Sequence, residues 1–287
     1  MSGVRESLGI LAGGGVLPGR VAAAAQAAGR RVFVIGLDGF ADPAVLAPYP
    51  HEFARLGAAG RIRDLLRAHA CRELVLVGSV RRPSFVDLRP DPLAIRLLAR
   101  IGRTAFAGDD GLLAAIVRVL GEEGFAVLGV ETILREAVGP AGLLTRIAPP
   151  PDAAAMADIE RGIAVARALG GVDVGQGCVV QQGIVLAVEA AEGTDAMLTR
   201  AGGLARPGPG GVLVKLVKPG QERRADLPTL GPETMRLAAS AGLRGIAFEA
   251  GGTLIVDRAA CIAAADAGGL FLLGLDPASF DPAMLGR

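Results

Sequence analysis

Along its first half the chain alternates short apolar runs with amphipathic stretches. Residues 8–11 are apolar enough for a strand, Gly13-Gly14-Gly15 follows, and residues 16–28 carry a helical pattern. Gly29 stands where a helix C-cap is expected, and residues 31–36 read as the next strand. Strand, glycine loop, helix and strand in that order predict a parallel sheet with a right-handed crossover. The pattern continues with a helix near 61–70, a strand at 73–77, helices at 92–101 and 111–123, and a strand at 125–129.

The character changes from residue 131 to 152, where Gly139-Pro140 and the triplet Pro149-Pro150-Pro151 occur. Consecutive prolines lack backbone donors and favour extended structure. The reading is therefore a first domain over 1–133, a proline-rich linker acting as a stiff spacer over 134–152, and a second domain over 153–287. The second half opens with a helix at 153–169. A hairpin is expected from strands 178–181 and 184–188 around Gln182-Gly183. Strands at 212–217, 245–248, 253–256 and 270–273 alternate with helices at 232–241 and 258–267. The expected fold class is α/β in both domains.

Composition narrows the function classes. A length of 287 residues suits two domains. Hydrophobic residues make up 51%, with 42 glycines and no tryptophan, so the apolar content is mostly Ala, Val, Leu and Ile, as parallel sheets with covering helices require. The net charge of +1 supplies no overall field for a nucleic-acid backbone, and no nucleic-acid partner is expected. Cys71, Cys178 and Cys261 lie far apart without metal-ligand spacing, which fits a reducing compartment. No signal-like start and no run of about 18 apolar residues is present. A cytoplasmic protein is expected, meeting a membrane only from its surface.

Several clusters carry candidate chemistry. Gly13, Gly14 and Gly15 open a helix, where free amides favour phosphate; a tight turn explains them equally well. The loop is neither a Walker A sequence nor GxGxxG in register, which disfavours a nicotinamide oxidoreductase. Gly78-Ser79-Val80-Arg81-Arg82-Pro83 follows an apolar strand, so Arg81 and Arg82 either meet a diphosphate or are solvated in a turn. Asp109 and Asp110 precede a helix: one is an N-cap, and the other is free for a ribose hydroxyl or a cation. Gln176 precedes the hairpin, and Glu189, Glu192, Thr194 and Asp195 follow it. These oxygens form either a cation platform suited to Mg²⁺ or a capping box with solvated acids. Lys215, Lys218, Arg223, Arg224 and Asp226 form the densest polar loop, in which the cations suit phosphates and Asp226 a metal or a water. His51, in a proline-flanked loop, and His69, on a helix surface, have no partners at zinc-ligand spacing. No Gly-x-Ser-x-Gly elbow is present.

Taken in order, residues 8–18, 78–83, 108–111, 173–176, 187–195 and 215–231 resemble one family across nearly the whole chain. The most specific elements are Glu-Ala-Ala-Glu-Gly-Thr-Asp at 189–195 and Lys-Pro-Gly-Gln-x-Arg-Arg-x-Asp-Leu-Pro-Thr at 218–229. The family is the metal-dependent UDP-2,3-diacylglucosamine pyrophosphatases of lipid A synthesis, of the type that is not a metallophosphoesterase. The resemblance implies a Rossmann-like N-terminal domain and a distinct C-terminal domain. It implies hydrolysis of UDP-2,3-diacylglucosamine to UMP and 2,3-diacylglucosamine 1-phosphate, with water attacking the sugar-side phosphorus. It further implies Mg²⁺, a homodimer, and an essential aspartate that aligns with Asp226. Peripheral contact with the inner membrane is expected. From charge and placement, Mg²⁺ is assigned to Asp226 with Glu189, Glu192 or Asp195. Lys215, Lys218, Arg223 and Arg224 are assigned to the transferred phosphoryl group. Gly13–Gly15, Ser79, Arg81, Arg82, Asp110, Gln176 and Thr194 are assigned to substrate. A non-catalytic nucleotide-sugar sensor is the other alternative, and it would have no use for the charged loop around Asp226.

Overall fold

A computed structural model describes residues 7–81, 88–101 and 109–281, with the side chains of Asp109 and Asp110 left aside. The chain divides into two compact units: residues 1–135 with 222–226, and residues 136–221 with 227–287.

The first unit is built on a five-stranded sheet: β1 (Ser7–Ala12), β2 (Arg31–Leu37), β3 (His51–Ala54), β4 (Cys71–Val77) and β5 (Ala126–Leu128). All neighbours are parallel and the order is β3-β2-β1-β4-β5. This is the doubly wound order, with its switch point between β1 and β4. Buried runs such as Leu8-Gly9-Ile10 and Val32–Ile35 explain it, because a strand covered on both faces needs apolar residues at every position. The helices are α1 (Leu17–Ala27), α2 (Pro43–Leu46), α3 (Ala59–Ala68), α4 (Pro92–Ile101), α5 (Asp109–Glu122) and α6 (Val130–Ile133).

One expectation for this unit changes. His51 opens β3 rather than lying in a loop, because its backbone pairs with Val34. His69, the C-cap of α3, is exposed as expected, with its ring stacked on Phe33 at 3.6 Å between centroids.

The segment 134–152, most of which belongs to the second unit, carries structure of its own. Arg135–Ala137 is a 3-10 turn, and β6 (Gly142–Leu143) pairs antiparallel with β13 (Phe271–Leu275). Asp266 then accepts from the amides of Ile147 at 2.9 Å, Arg146 at 3.1 Å and Ala148 at 3.3 Å. The stretch is therefore tied to the sheet and to a helix of the second unit.

The second sheet has the order β6-β13-β11-β9-β7-β8, with β7 (Gly177–Gln181), β8 (Ile184–Val188), β9 (Val212–Lys215) and β11 (Gly245–Glu249). A separate parallel pair joins β10 (Thr229–Leu230) to β12 (Leu254–Ile255). Side chains alternate between two cores, as the period of a strand requires. Val179, Leu213, Ile246, Phe248 and Leu272 face the helices α8 (Gly193–Gly202), α9 (Pro232–Ser240) and α10 (Arg258–Ala267). Cys178, Val180, Val212, Val214, Ala247, Phe271 and Leu273 face α7 (Ala153–Gly171). The expected hairpin is present, and Gln182 and Gly183 both have positive φ, at 55° and 75°. Buried Asp158 accepts from both turn amides, at 3.1 Å and 2.7 Å. That pairing explains how a carboxylate is tolerated inside α7.

Candidate functional site

In the second unit the polar residues gather where β9 ends. Val212 and Val214 face α7 and Leu213 faces the other helices, so Lys215 points to the side of α8, whose first turn carries Thr194. The Lys215 ammonium donates to Thr194 Oγ1 at 2.5 Å, and the Thr194 hydroxyl donates to Glu189 Oε1 at 2.6 Å. Lys215 Nζ lies 3.7 Å from the same Glu189 oxygen. Lys215 is only 4% exposed and Glu189 7%. Burying either charge alone would be expensive, and together they offset one another. Gly177, paired with Lys215 across the β7–β9 ladder, leaves the room this needs. A Cβ at 177 would stand 2.8 Å from Glu189 Oε2.

Around this trio, Lys218 Nζ donates to Asp173 at 2.6 Å, and the Lys218 amide donates to the Gln221 side chain at 3.0 Å. Glu249, at the end of β11, accepts from the Val217 amide at 3.1 Å. Thr234 lies 3.5 Å from Asp195 Oδ1. Two buried acceptors here, Glu189 Oε2 and Gln176 Oε1, have no hydrogen-bond partner among the described residues. Each stands ready for a donor on a ligand, because an unsatisfied buried oxygen is costly.

The sequence contains just two lysines among its 30 basic residues, and both are in this cluster. That bias was a readable signal. A compact ammonium fits a buried socket where a broad guanidinium does not. Gly177 and Glu249 were missed, because their roles depend on which strands lie beside them.

Other assignments are revised. Glu192 is exposed, and its carboxylate is taken by Arg200 at 2.7 Å. Its own backbone amide and then Arg200 hold that carboxyl below the usual range. In this structure its carboxylate is a local partner of Arg200. Arg224 forks Glu222, with both contacts at 2.7 Å, and holds that carboxyl low as well, so its charge is offset locally. Asp226 is half-buried, and with Arg223 and Arg224 it belongs to the segment 222–226 that groups with the first unit.

In the first unit, Gly13 and Gly14 do not present free amides. Gly13 N donates to Val77 O at 2.8 Å, Gly14 N donates to Ser79 O at 2.8 Å, and Ser79 N returns a bond to Gly14 O at 3.1 Å. A Cβ on Gly13 would meet the Gly78 and Ser79 carbonyl oxygens at 2.7 Å. These two glycines allow backbone to approach backbone, and their own amides are taken by the chain. Gly15, at φ 85°, is exposed with open space around it, and it keeps the substrate assignment within reach. Ser79 and Arg81 are exposed. Arg82, Gly108 and the side chain of Asp110 lie outside the described residues.

For Mg²⁺, no group of three or more His, Cys, Asp or Glu at ligand spacing occurs among the described residues. A dedicated protein cage is thus absent there. Mg²⁺ more often takes one or two carboxylates plus waters and phosphate oxygens, and single carboxylates satisfy that pattern.

Comparison with known proteins decides the family. The sequence matches the LpxI N-terminal domain over residues 7–137 and the LpxI C-terminal domain over residues 140–273. The chain belongs to the LpxI family. It is 46% identical over 278 residues to the UDP-2,3-diacylglucosamine pyrophosphatase LpxI of Caulobacter vibrioides, a match spanning 95% of this chain and 98% of that protein. The lysine–glutamate cluster therefore sits in the LpxI C-terminal domain, and the bridged glycine loop in the LpxI N-terminal domain.

Proposed function

We propose that this chain hydrolyses UDP-2,3-diacylglucosamine to UMP and 2,3-diacylglucosamine 1-phosphate in lipid A synthesis. The observation that carries the reading is the nearly full-length identity to a pyrophosphatase of that substrate. Water adds to the sugar-side phosphorus, the bond from that phosphorus to the bridging oxygen breaks, and the bridging oxygen leaves on UMP. The water proton passes to solvent.

Each cation here is held by a carboxylate, so its position is fixed before substrate arrives. Lys215 is oriented by Thr194 and Glu189, and Lys218 by Asp173. Fixed positive groups stabilise charge that develops on the transferred phosphoryl oxygens without reorganising first. Asp226 is the carboxylate we assign to Mg²⁺, which when bound neutralises phosphate charge. Glu189 serves Lys215 in this reading. A homodimer and a peripheral seat at the inner membrane surface belong to the same proposal. No helix among the described residues is long and apolar enough to cross a membrane.

The test is hydrolysis of UDP-2,3-diacylglucosamine with Mg²⁺ and with EDTA, following UMP. Turnover abolished by EDTA supports the reading, and a folded protein that forms no product with Mg²⁺ refutes it. Asp226→Ala is expected to lower kcat by about 10²–10³-fold with the fold intact, the scale of losing a group that stabilises transition-state charge.

A further inference from the structure

We propose that Glu131 is an acceptor for the vicinal hydroxyls of a ribose, placing the nucleoside of the ligand against the carboxyl edge of the first sheet. The inference rests on the nucleotide-sugar reading above and adds a residue that reading does not use.

Neither carboxylate oxygen of Glu131 has a hydrogen-bond or ion-pair partner among the described residues, and Oε2 is closed off from solvent. A carboxylate oxygen removed from water without a donor is a standing cost, which a ligand donor would relieve. The placement is built by two residues. The side chain folds back over Gly129, where a Cβ would stand 2.1 Å from Oε1 and 2.3 Å from Oε2. Any larger residue at 129 would displace the carboxylate.

Its place in the fold matches a ligand site. Glu131 lies on α6, directly after the carboxyl end of β5, and α6 packs against both α1 and β4. These are the elements flanking the switch point, outside which open α/β sheets bind ligands. The usual position for a ribose-binding acid, at the end of β2, holds Asp38, which is exposed.

The chemistry selects the donor. A carboxylate with no cation beside it repels phosphate and accepts from neutral O–H or N–H groups. Two oxygens on one carbon match two hydroxyls on adjacent carbons, which a ribose offers.

The experiment measures binding of UMP and 2′,3′-dideoxy-UMP to the wild type, Glu131→Ala and Glu131→Gln, with hydrolysis by the wild type assayed in parallel. The wild type is expected to prefer UMP by about 10- to 100-fold, the scale of losing hydrogen bonds to a charged group. Glu131→Ala should weaken UMP to the level of the dideoxy compound and leave the dideoxy compound unchanged. Glu131→Gln, closest in shape, should show an intermediate preference and serves if the alanine variant fails to fold. Active wild type whose UMP preference is absent, or survives both substitutions, overturns this inference alone. Wild type that neither hydrolyses substrate nor binds UMP overturns it together with the reading beneath it. A defect in Glu131→Ala that added Mg²⁺ repairs overturns it in favour of a metal ligand.

Discussion

The carboxyl edges of the two sheets hold equivalent topological positions and are built from different materials. In the first unit, the loops after β1 and β4 are joined backbone to backbone through Gly13, Gly14 and Ser79. In the second, the space beyond β9 is filled by side chains, with Lys215, Thr194 and Glu189 linked in a chain and Lys218 held by Asp173. Glycine makes the first arrangement possible by having no side chain. The second requires side chains of opposite charge buried at the same time. One edge resists change because it is tight, and the other because it is electrically balanced.

The two edges should therefore fail differently. Lys215→Ala, which strands the Glu189 carboxylate, is expected to cost about 3–5 kcal/mol, read from urea unfolding. Replacing both partners with Lys215→Met and Glu189→Leu should cost much less than the sum of the single changes, since no charge is left stranded. A fully additive result would break the comparison. At the first edge, Gly13→Ala is expected to cost about 1–3 kcal/mol by overpacking against the 78–79 carbonyls, with no dependence on salt or pH. Thr194→Val should cost about 1–2 kcal/mol by removing the link between Lys215 and Glu189, and Thr194→Ser should restore it. A loss in the serine variant with none in the valine variant would show that the methyl, rather than the hydroxyl, matters.

The smallest effect concerns Asp266, whose carboxyl is held below its usual range by backbone amides, Ile147 foremost. A lowered folded value means its contribution is present above the unfolded pKa of about 3.9 and fades as pH falls through the lower folded value. The protection of the 146–148 amides, measured against their intrinsic exchange rates, should therefore fall only in strong acid. In Asp266→Asn that protection should be low at every pH.

Local chemistry was the part of the fold legible in the sequence. The 178–188 hairpin follows from two apolar runs around Gln182-Gly183, and α10 begins and ends at the residues expected from its pattern. β3 was hidden because it is four residues long, starts with His51-Glu52 and follows a proline. Its strand character comes from pairing with β2, which no local pattern encodes. The glycine loop stayed open between a phosphate site and a tight turn for a related reason. Whether an amide is free depends on what packs against it, and here the partner arrives only with the loop after β4. The lysines and carboxylates of the second unit were legible as candidates, in two separate stretches, whereas their pairing was not visible. Glu189 reaches Lys215 because β7 lies between β8 and β9 in the sheet, and the sequence does not state that order.

The order of the second sheet also sets a schedule for its assembly. β6 is its earliest strand in the chain, yet its neighbour in the sheet is β13, its last. On a ribosome, Gly142 and Leu143 must wait for residues 271–275 before their place in the ladder exists. The unit is closed by a contact of long sequence separation, the kind that slows folding. Through that interval β11 presents a bare apolar edge, and chaperone dependence should concentrate there.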